Sequence, residues 1–147
     1  MKIVLSPSKT KTITTVGNDG AVHSAVQDGQ FQPHITQDIV KHVQSLDVAA
    51  LGKALKLKDD KAQAIFDFYQ AFESHPVGHA CESYDGIAFK YLNWSNLTEE
   101  AKAFGESHLV VMSALYGVVE PMMGVRDYRL DMVDKVGINL YLSLIHI

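Results

Sequence analysis

Cysteine, arginine and long hydrophobic runs are all scarce in this chain of 147 residues. The one cysteine, Cys81, excludes an internal disulfide framework and suits a reducing compartment. The longest aliphatic stretch lies near Leu109 to Met112, far short of the roughly 20 residues that a membrane-spanning helix needs. Pro7 and Lys9 interrupt any signal-peptide core at the N-terminus. We therefore expect one soluble cytoplasmic domain with no membrane partner.

Positive charge is limited as well. The formal net charge is −4, which argues against a globally basic nucleic-acid binder. Residues 1 to 75 carry 8 Lys against 7 Asp and 1 Glu, whereas residues 76 to 147 carry 3 Lys and 2 Arg against 4 Asp and 5 Glu. The two arginines, Arg126 and Arg129, stand three positions apart. Any site for a polyanion must therefore be a local patch.

Two apolar runs predict buried strands that end in loops. The first runs from Lys2 to Ser6 and stops before Pro7, which lacks a backbone donor and forces its predecessor away from helix. The second, Leu109 to Ser113, leads to a turn at Gly117, where we expect a positive φ or a close backbone approach. If the two strands are parallel, their C-terminal ends share the edge where ligands of open α/β sheets bind.

The region between these strands is mostly helical by its apolar periodicity. Apolar residues recur at helical spacing from Ile35 to Tyr69, whereas Lys11 to Pro33 has no sustained period and reads as mostly loop. The predicted helix starts are Thr36 with Asp38, Asp47, Asp59 or Asp60, and Thr98. The pattern predicts a single α/β (mixed α+β) fold.

Three segments of the chain carry a family resemblance. "LSPSKT" (5 to 10) is similar to a Ser-Pro-Ala-Lys-Thr signature, and "MSALYGVVEPMMGVRDYRLDM" (112 to 132) to a Leu-Ser-Gly-Leu-Tyr-Gly-Leu-Leu-Arg-Pro…Pro-Tyr-Arg-Leu-Glu-Met block. "YDGIAFKYL" (84 to 92) looks like a third shared segment. The order and separation of the motifs also agree. Together they resemble the YaaA-like peroxide stress protein family.

The chain departs from the family pattern at three places. Glu120 stands where the family has an arginine, and Asp127 stands where it has a proline, whereas Arg129 matches the Tyr-Arg-Leu. The family also continues beyond this point, but residues 142–147 do not follow its pattern. We therefore expect residues 1–141 to be the N-terminal part of a YaaA-like domain that is C-terminally incomplete, followed by a non-family tail.

The apolar end of the chain carries a further expectation. Leu140, Leu142, Leu144 and Ile145 have no obvious partner in the sequence. We expect the segment from Ile138 to Ile147 to be exposed or poorly packed, and to favour self-association.

The resemblance implies a cytoplasmic protein that protects against hydrogen peroxide by limiting free iron. It also implies an affinity for DNA through a helix-hairpin-helix element. From the residues of that element we expect the contact to be weak, to use the phosphate backbone and to have no sequence preference. No reaction is established for the family, so whether the chain is an enzyme stays open, with the resemblance against it. We expect no resident cofactor.

The loop after the first strand can bind an anion. Lys9 offers an ammonium group, and the hydroxyls and loop N–H groups around it can complete a phosphate site, although there is no glycine-rich cradle. Arg129 can make a bidentate contact, and Tyr128 can stack or donate. The predicted site comprises Ser6, Ser8, Lys9, Thr10, Tyr116, Gly117, Tyr128 and Arg129.

Three of these residues also have a structural explanation. Lys9 can be a solvated lysine after a capped strand end, and Tyr116 can belong to the core. Arg129 can form an internal salt bridge to Asp127, Asp131 or Glu120. If the anion site is real, the rival function is a small-molecule enzyme or sensor with a phosphate-bearing ligand between Lys9 and Arg129.

The DNA hypothesis falls on the hairpin from Leu55 to Asp59. The helix that follows offers unpaired N–H groups and a positive dipole end to a phosphate. Four lysines surround this hairpin, and the two acidic residues Asp59 and Asp60 reduce its net charge to +2. The glycine that is familiar in such hairpins is missing, because Gly52 lies one turn too early. A solvated lysine face is the alternative. The predicted DNA contacts are Lys53, Lys56, Lys58 and Lys61.

A metal site over His75, His79 and Cys81 is not expected. Pro76 and Gly78 indicate a loop there, and not a rigid ligand pair on a helix. Cys81 also has no basic neighbour in sequence that would lower its pKa, so we expect no peroxidatic role.

Overall fold

The computed structural model describes residues 1–13 and 33–140, and helices and strands are both present in this part of the chain. The strands are β1 (Ile3–Leu5), β2 (Gly78–His79), β3 (Leu109–Ser113), β4 (Gly117–Val119) and β5 (Gly124–Val125). The α-helices are α1 (Pro33–Ser45), α2 (Val48–Leu55), α3 (Asp59–Gln70), α4 (Ala80–Ser83), α5 (Ile87–Leu92) and α6 (Glu99–His108). Short 3₁₀ turns cover Phe72–Ser74 and Trp94–Asn96. The predicted mixed α/β class is confirmed.

The larger sheet has the strand order β1-β3-β4. β1 and β3 are parallel, with Ile3 opposite Leu109 and Leu5 opposite Val111. Their C-terminal ends therefore share one edge, as predicted from the sequence. β3 and β4 form an antiparallel hairpin that closes at Gly117, whose φ of 75° confirms the expected positive value. A second, two-stranded sheet pairs β2 with β5.

The two predicted buried strands differ in their surroundings. β3 lies between β1 and β4, and four of its five residues are buried. β1 is the edge strand of the sheet, and its side chains are largely exposed, at 42% for Ile3 and 59% for Val4. The prediction of burial was therefore wrong for β1. An apolar run shows that a segment is extended, but its place in the sheet decides how much of it is covered.

The helix starts agree only in part with those predicted. Asp47 caps α2 by accepting a hydrogen bond from the backbone N–H of Ala50 at 2.7 Å, and Thr98 caps α6 in the same way. α1 begins at Pro33, so Thr36 lies inside the helix, where its hydroxyl donates to the Leu115 carbonyl at 2.9 Å. The predicted start at Thr36 was wrong, because the helix begins three residues earlier. The Thr36 hydroxyl does not cap the helix but joins it to the loop after β3.

The start of α3 is also different from the prediction. Lys58 is its N-cap residue, and no side chain caps the helix. Asp59 and Asp60 instead occupy its first turn, where a carboxylate interacts favourably with the helix dipole. The prediction that Asp59 or Asp60 caps this helix was therefore wrong.

The helices α2 and α3 pack closely through Gly52. A Cβ at this position would lie 3.0 Å from the Cβ of Ala62 and 3.3 Å from the carbonyl oxygen of Leu57. The connection between the two helices turns at Lys56, which has left-handed backbone angles of φ 56° and ψ 44°. Gly52 thus allows the two helices to pack closely. The left-handed conformation at the turn, which glycine usually adopts, is adopted here by Lys56.

The end of the described chain contains one correction. Leu140 is only 2% exposed and belongs to the hydrophobic core, so the expected poor packing was wrong at this residue. Ile138 is half-buried and also packs against the core, whereas residues 141–147 of the predicted segment lie outside the described residues. The same holds for most of the loop expected from Lys11 to Pro33. Within residues 1–13 and 33–140 no helix is long and apolar enough to cross a membrane.

Candidate functional site

A narrow cleft with a volume of about 40 Å³ opens beyond the C-terminal end of β1. It brings together the loop after β1 and the segment after β5, so Lys9 and Arg129 border the same cleft, as expected, although Arg129 follows β5 and not the parallel strand β3. Its walls are formed by Pro7, Ser8, Lys9, Lys11, Leu55, Tyr128, Arg129, Leu130, Asp131 and Asp134. Ser6, Thr10, Tyr116 and Gly117, which the sequence assigned to this site, are not among the described lining residues.

The polar residues of the loop hold its shape. The Ser8 hydroxyl donates to the Thr10 carbonyl at 2.6 Å and accepts from the backbone N–H of Asp85 at 3.0 Å. The hydroxyl of Thr12 donates to the Asp85 carboxylate at 2.6 Å. Ser8 and Thr10 therefore fix the loop against the segment before α5, while Ser6 is exposed.

The two arginines have different environments. Arg126 is 5% exposed, donates from Nε to the His75 carbonyl at 3.2 Å, and lies 3.7 Å from the Glu73 carboxylate. Its guanidinium also stacks over the Phe72 ring. Arg129 is half-buried, and its guanidinium forms no hydrogen bond or ion pair with the described residues. Arg126 is therefore part of the scaffold, and Arg129 is available to a ligand.

Lys11 is a cleft residue that the sequence did not single out. Its Nζ donates to the Tyr128 carbonyl at 2.7 Å and to the Lys9 carbonyl at 3.3 Å. It lies 4.1 Å from the centre of the Tyr128 ring and 5.4 Å from that of Tyr84. Burial lowers the pKa of this lysine from 10.5 to about 8, and the nearby charge of Arg129 acts in the same direction. The sequence could not identify Lys11, because its contacts with the Tyr84 and Tyr128 rings form only in the folded protein.

A buried network of hydroxyl groups lies behind the cleft. The Tyr128 hydroxyl is 2.8 Å from that of Tyr84 and 2.7 Å from that of Ser113. Ser113 also accepts from the backbone N–H groups of Leu115 and Tyr116. Burial raises the pKa of Tyr128 and Tyr84, so both stay neutral. The Tyr128 hydroxyl therefore serves the interior, and only its carbonyl and ring contribute to the cleft.

Tyr116 likewise belongs to the core. It is 2% exposed, and its hydroxyl accepts a hydrogen bond from the backbone N–H of Arg126 at 3.1 Å. Its ring packs edge-on against that of Tyr128, with 5.3 Å between their centres. It positions the segment that carries both arginines.

Charge in the cleft is mixed. Lys9, Lys11 and Arg129 line it together with Asp131 and Asp134. The Lys9 Nζ lies 4.0 Å from the Asp131 carboxylate, a long contact between two exposed side chains that holds little energy. The Asp134 carboxylate accepts from the backbone N–H of Asp131 at 2.8 Å and so is partly engaged. An anion can therefore displace the Lys9 contact at small cost.

The hairpin between α2 and α3 borders a second hollow. Lys53, Lys56, Lys58 and Lys61 are all exposed, and none forms an ion pair with residues that the structure describes. The hollow is lined by Lys56, Leu57, Lys58, Asp59, Asp60, Lys61 and Arg129. The predicted hairpin lysines Lys56, Lys58 and Lys61 are thus adjacent to Arg129.

Arg129 and Lys56 link three neighbouring hollows. Arg129 lines both the cleft and the hairpin hollow. Lys56 lines both the hairpin hollow and a third one beside α2, which has an apolar floor that includes Val133. Apart from the half-buried Lys11, seven cationic side chains border these hollows, and we call them the cationic track: Lys9, Arg129, Lys61, Lys58, Lys56, Lys53 and Lys135. Lys135 was missed because it lies far from the hairpin in sequence.

The segment from His75 to Cys81 has structural contacts. His75 packs against the Phe68 ring, and His79 Nδ1 lies 3.6 Å from the Glu82 carboxylate. Cys81 is buried, and burial raises its pKa to about 12, which opposes thiolate chemistry. Among the described residues no group of three or more His, Cys, Asp or Glu side chains could hold a metal ion.

Comparison with known proteins assigns the family. Residues 1–144 match the family model described as peroxide stress protein YaaA. A UPF0246 protein of Finegoldia magna is 32% identical over 141 residues, which cover 96% of this chain and 54% of the relative. A UPF0246 protein of Agathobacter rectalis is 33% identical over 146 residues, covering 96% of this chain and 56% of that relative.

A UPF0246 protein of Rickettsia bellii is 28% identical over 136 residues, covering 92% of this chain and 53% of the relative. The chain thus spans about half the length of the curated relatives that it matches. The family model covers nearly all of it, including both motifs around Lys9 and Arg129. The chain belongs to the YaaA peroxide stress protein family.

Proposed function

We propose that the protein binds duplex DNA weakly and without sequence preference, through the phosphate backbone, as part of a response to peroxide stress. The contact surface is the cationic track, with the hairpin between α2 and α3 at its centre, in the manner of a helix-hairpin-helix element. The single observation that carries the proposal is the position of Arg129, which borders both the hairpin hollow and the cleft. One polyanion can therefore reach both sets of cations.

The start of α3 supports a phosphate contact. No side chain accepts a hydrogen bond from the backbone N–H groups in the first turn of this helix. A phosphate oxygen can accept from them, aided by the helix dipole and by Lys58 and Lys61. Asp59 and Asp60 in the same turn oppose it, so we expect weak binding at physiological salt.

The chemistry of the track explains why sequence should not matter. Lysine side chains and helix N-termini contact phosphates, which carry no base information. The hollow beside α2 adds Lys53, Lys56 and Lys135 without an acidic lining residue, and so extends the positive surface. Binding of this kind depends on counterion release and weakens steeply with salt.

The proposal has two further parts, that the protein limits free iron and that it acts in the cytoplasm, and their support comes from outside the site. Limitation of free iron rests on the family resemblance alone, since the described residues offer no metal cluster. Action in the cytoplasm is consistent with a single buried cysteine, which a reducing compartment keeps as a thiol.

A salt titration with duplexes of unrelated sequence tests the DNA proposal. We expect similar affinities for all of them, and a log–log slope no steeper than about −6.3 if all seven cations of the track contact phosphates. The double variant Lys56→Ala with Lys58→Ala should flatten the slope by up to about 2 units for every duplex. Lys2→Ala with Lys90→Ala is the matched control outside the track. Equal slopes in both double variants would contradict the proposal.

The cleft supports a second candidate function, a small-molecule enzyme or sensor for an anionic ligand. The supporting observation is that Lys9 borders one concave site together with Arg129, whose guanidinium forms no ion pair with the described residues. Inorganic phosphate and nucleoside phosphates should then raise the melting temperature, and Arg129→Gln should abolish that shift. Stabilisation by duplex DNA alone would favour the first function.

A further inference from the structure

The ammonium group of Lys11 is held in a fixed position beside the cleft. Its Nζ donates to the Tyr128 carbonyl at 2.7 Å and to the Lys9 carbonyl at 3.3 Å. The rings of Tyr128 and Tyr84 have their centres 4.1 Å and 5.4 Å from it. Carbonyl oxygens and the faces of aromatic rings both stabilise a positive charge. Burial lowers the pKa of Lys11 only to about 8, which leaves about nine-tenths of it charged at pH 7.

Lys11 retains one hydrogen bond for a ligand. An ammonium group has three N–H bonds, and the two carbonyl oxygens accept two of them. Among the described residues no side chain accepts a hydrogen bond from Lys11 or forms an ion pair with it. Because Lys11 also lines the cleft, an anion there can accept the third N–H bond while the other two are kept.

Lys9 and Lys11 line the same cleft but differ in how freely they move. The Lys9 side chain is 66% exposed, and its contact with the Asp131 carboxylate is long, at 4.0 Å. An anion that binds Lys9 must therefore restrict a free side chain and displace its water. Lys11 has already lost both on folding, and the half-buried Arg129 beside it adds a planar, bidentate donor. Lys11 and Arg129 are thus the two cations best prepared to hold an anion.

The volume of the cleft limits what can enter it. A volume of about 40 Å³ is room for about three water molecules, which matches one compact oxyanion and excludes a nucleoside. Three cations, Lys9, Lys11 and Arg129, and two carboxylates, Asp131 and Asp134, line it, so its net charge is +1. The Asp134 carboxylate already accepts a hydrogen bond from the backbone N–H of Asp131. The cleft therefore suits a single anionic group.

We propose that the cleft binds one tetrahedral oxyanion, either free phosphate or the terminal phosphate of a larger molecule, with Lys11 and Arg129 as its principal contacts. A phosphate inside a nucleic-acid strand carries a sugar on both sides, so it can contact the exposed track without entering the cleft. The inference rests on the second proposed function, because it requires the cleft to accept an anion. It names the chemical group that this function recognises and adds Lys11 to the residues that bind it.

Thermal shifts with sulfate and inorganic phosphate test the proposal, with chloride at equal ionic strength as the control. We expect both anions to raise the melting temperature of the parent protein. Lys11→Met should weaken the apparent affinity at least about tenfold, because it removes a charge-assisted hydrogen bond from a desolvated donor. Lys9→Met is the matched control and should weaken it less than about threefold, because an exposed ion pair contributes little.

The possible failures of this experiment have different meanings. A larger loss in Lys9→Met than in Lys11→Met would overturn the role of Lys11 and leave the second proposed function standing. Stabilisation by nucleoside phosphates but by neither small anion would show that the size limit is wrong. If no anion stabilises the protein, both the inference and the second proposed function are wrong.

The pH dependence of sulfate binding tests Lys11 in the parent protein, without a substitution. Sulfate keeps its charge between pH 7 and pH 9, whereas Lys11 loses most of its charge because burial lowers its pKa to about 8. Burial raises the pKa of Tyr84 and Tyr128, so both rings stay neutral. Carboxylates, guanidinium groups and exposed lysines do not titrate in this range. The charged groups around Lys11 are of these classes: Asp85, Asp127, Asp131, Asp134, Lys9 and Arg129. Sulfate affinity should therefore fall about tenfold, and an unchanged affinity would overturn the role of Lys11.

Two duplexes that differ only in their ends identify the source of the phosphate. One carries terminal phosphate groups, and the other carries terminal hydroxyl groups. Tighter binding of the phosphorylated duplex, with the difference lost in Arg129→Gln, would assign the cleft to the ends of nucleic acids. Equal binding of the two duplexes, together with stabilisation by inorganic phosphate, would assign it to free phosphate.

Discussion

The cleft at the sheet edge and the hairpin between α2 and α3 are both cationic, but they are built in different ways. The hairpin lysines come from one short segment, and all are exposed without ion pairs to described residues. The cleft joins the loop after β1 to residues more than a hundred positions later, and its Lys11 is half-buried and desolvated. The exposed hairpin lysines therefore suit a polyanion whose phosphates can shift along the surface, whereas the cleft can bind a single anionic group at a defined position.

The largest expected effect separates the two arginines near the cleft. Arg126→Met removes the bond to the His75 carbonyl and the contact with Glu73, and should lower the free energy of unfolding by about 2 to 3 kcal/mol. The same substitution at Arg129 should change it by no more than about 0.5 kcal/mol. Urea denaturation of both variants measures the difference. Equal losses would mean that Arg129 is a structural residue and not a ligand contact.

The next effect concerns the helix contact on which the hairpin depends. Gly52→Ala places a Cβ 3.0 Å from that of Ala62 and should destabilise the protein by about 1 to 2 kcal/mol, despite the better helix propensity of alanine. Lys53→Ala, on the exposed side of the same helix, is the control and should be nearly neutral. A more stable Gly52→Ala variant would show that α2 and α3 are less tightly packed than the structure indicates.

A smaller effect is expected from pH. The folded pKa of Lys11, about 8, lies below its ordinary value of 10.5, so between these values the unfolded state binds more protons. Burying the charged Lys11 amine destabilises the folded state fully below pH 8, and this destabilisation decreases as the amine loses its proton above pH 8. Stability should therefore rise by up to about 1 kcal/mol between pH 8 and pH 9 relative to Lys11→Met.

Denaturant midpoints across this range measure the effect. Above pH 10 the buried tyrosines act in the opposite direction, because their raised pKa values favour protonation in the folded state. A Lys11→Met variant with the same pH profile as the parent would show that the Lys11 amine is well solvated in the folded protein.

The contrast between the two regions also explains what the sequence could predict. Local signals were sufficient for the Asp47 and Thr98 caps, for the turn at Gly117, and for the two strands β1 and β3, whose C-terminal ends share one edge. Each depends on a few neighbouring residues or on a general rule for parallel strands. The hairpin lysines could be named for the same reason.

Features that depend on distant contacts were missed or misassigned. Lys11 looks like any other lysine until the rings of Tyr84 and Tyr128 close over it. Tyr116 was assigned to the site, but its hydroxyl and its ring have their partners, Arg126 and Tyr128, in the interior. The exposure of β1 follows from its edge position, which an apolar run does not reveal.

The central claim is that the cleft and the hairpin form one surface for a polyanion. Its most direct test is the salt dependence of duplex binding by Lys9→Ala, in which the changed residue borders the cleft and not the hairpin hollow. A continuous track predicts that the log–log slope flattens by up to about 0.9 unit in Lys9→Ala, as it should in Lys58→Ala, because each removes one phosphate contact. A Lys9→Ala slope equal to that of the parent, with the Lys58→Ala slope flattened, would confine DNA to the hairpin and contradict the claim.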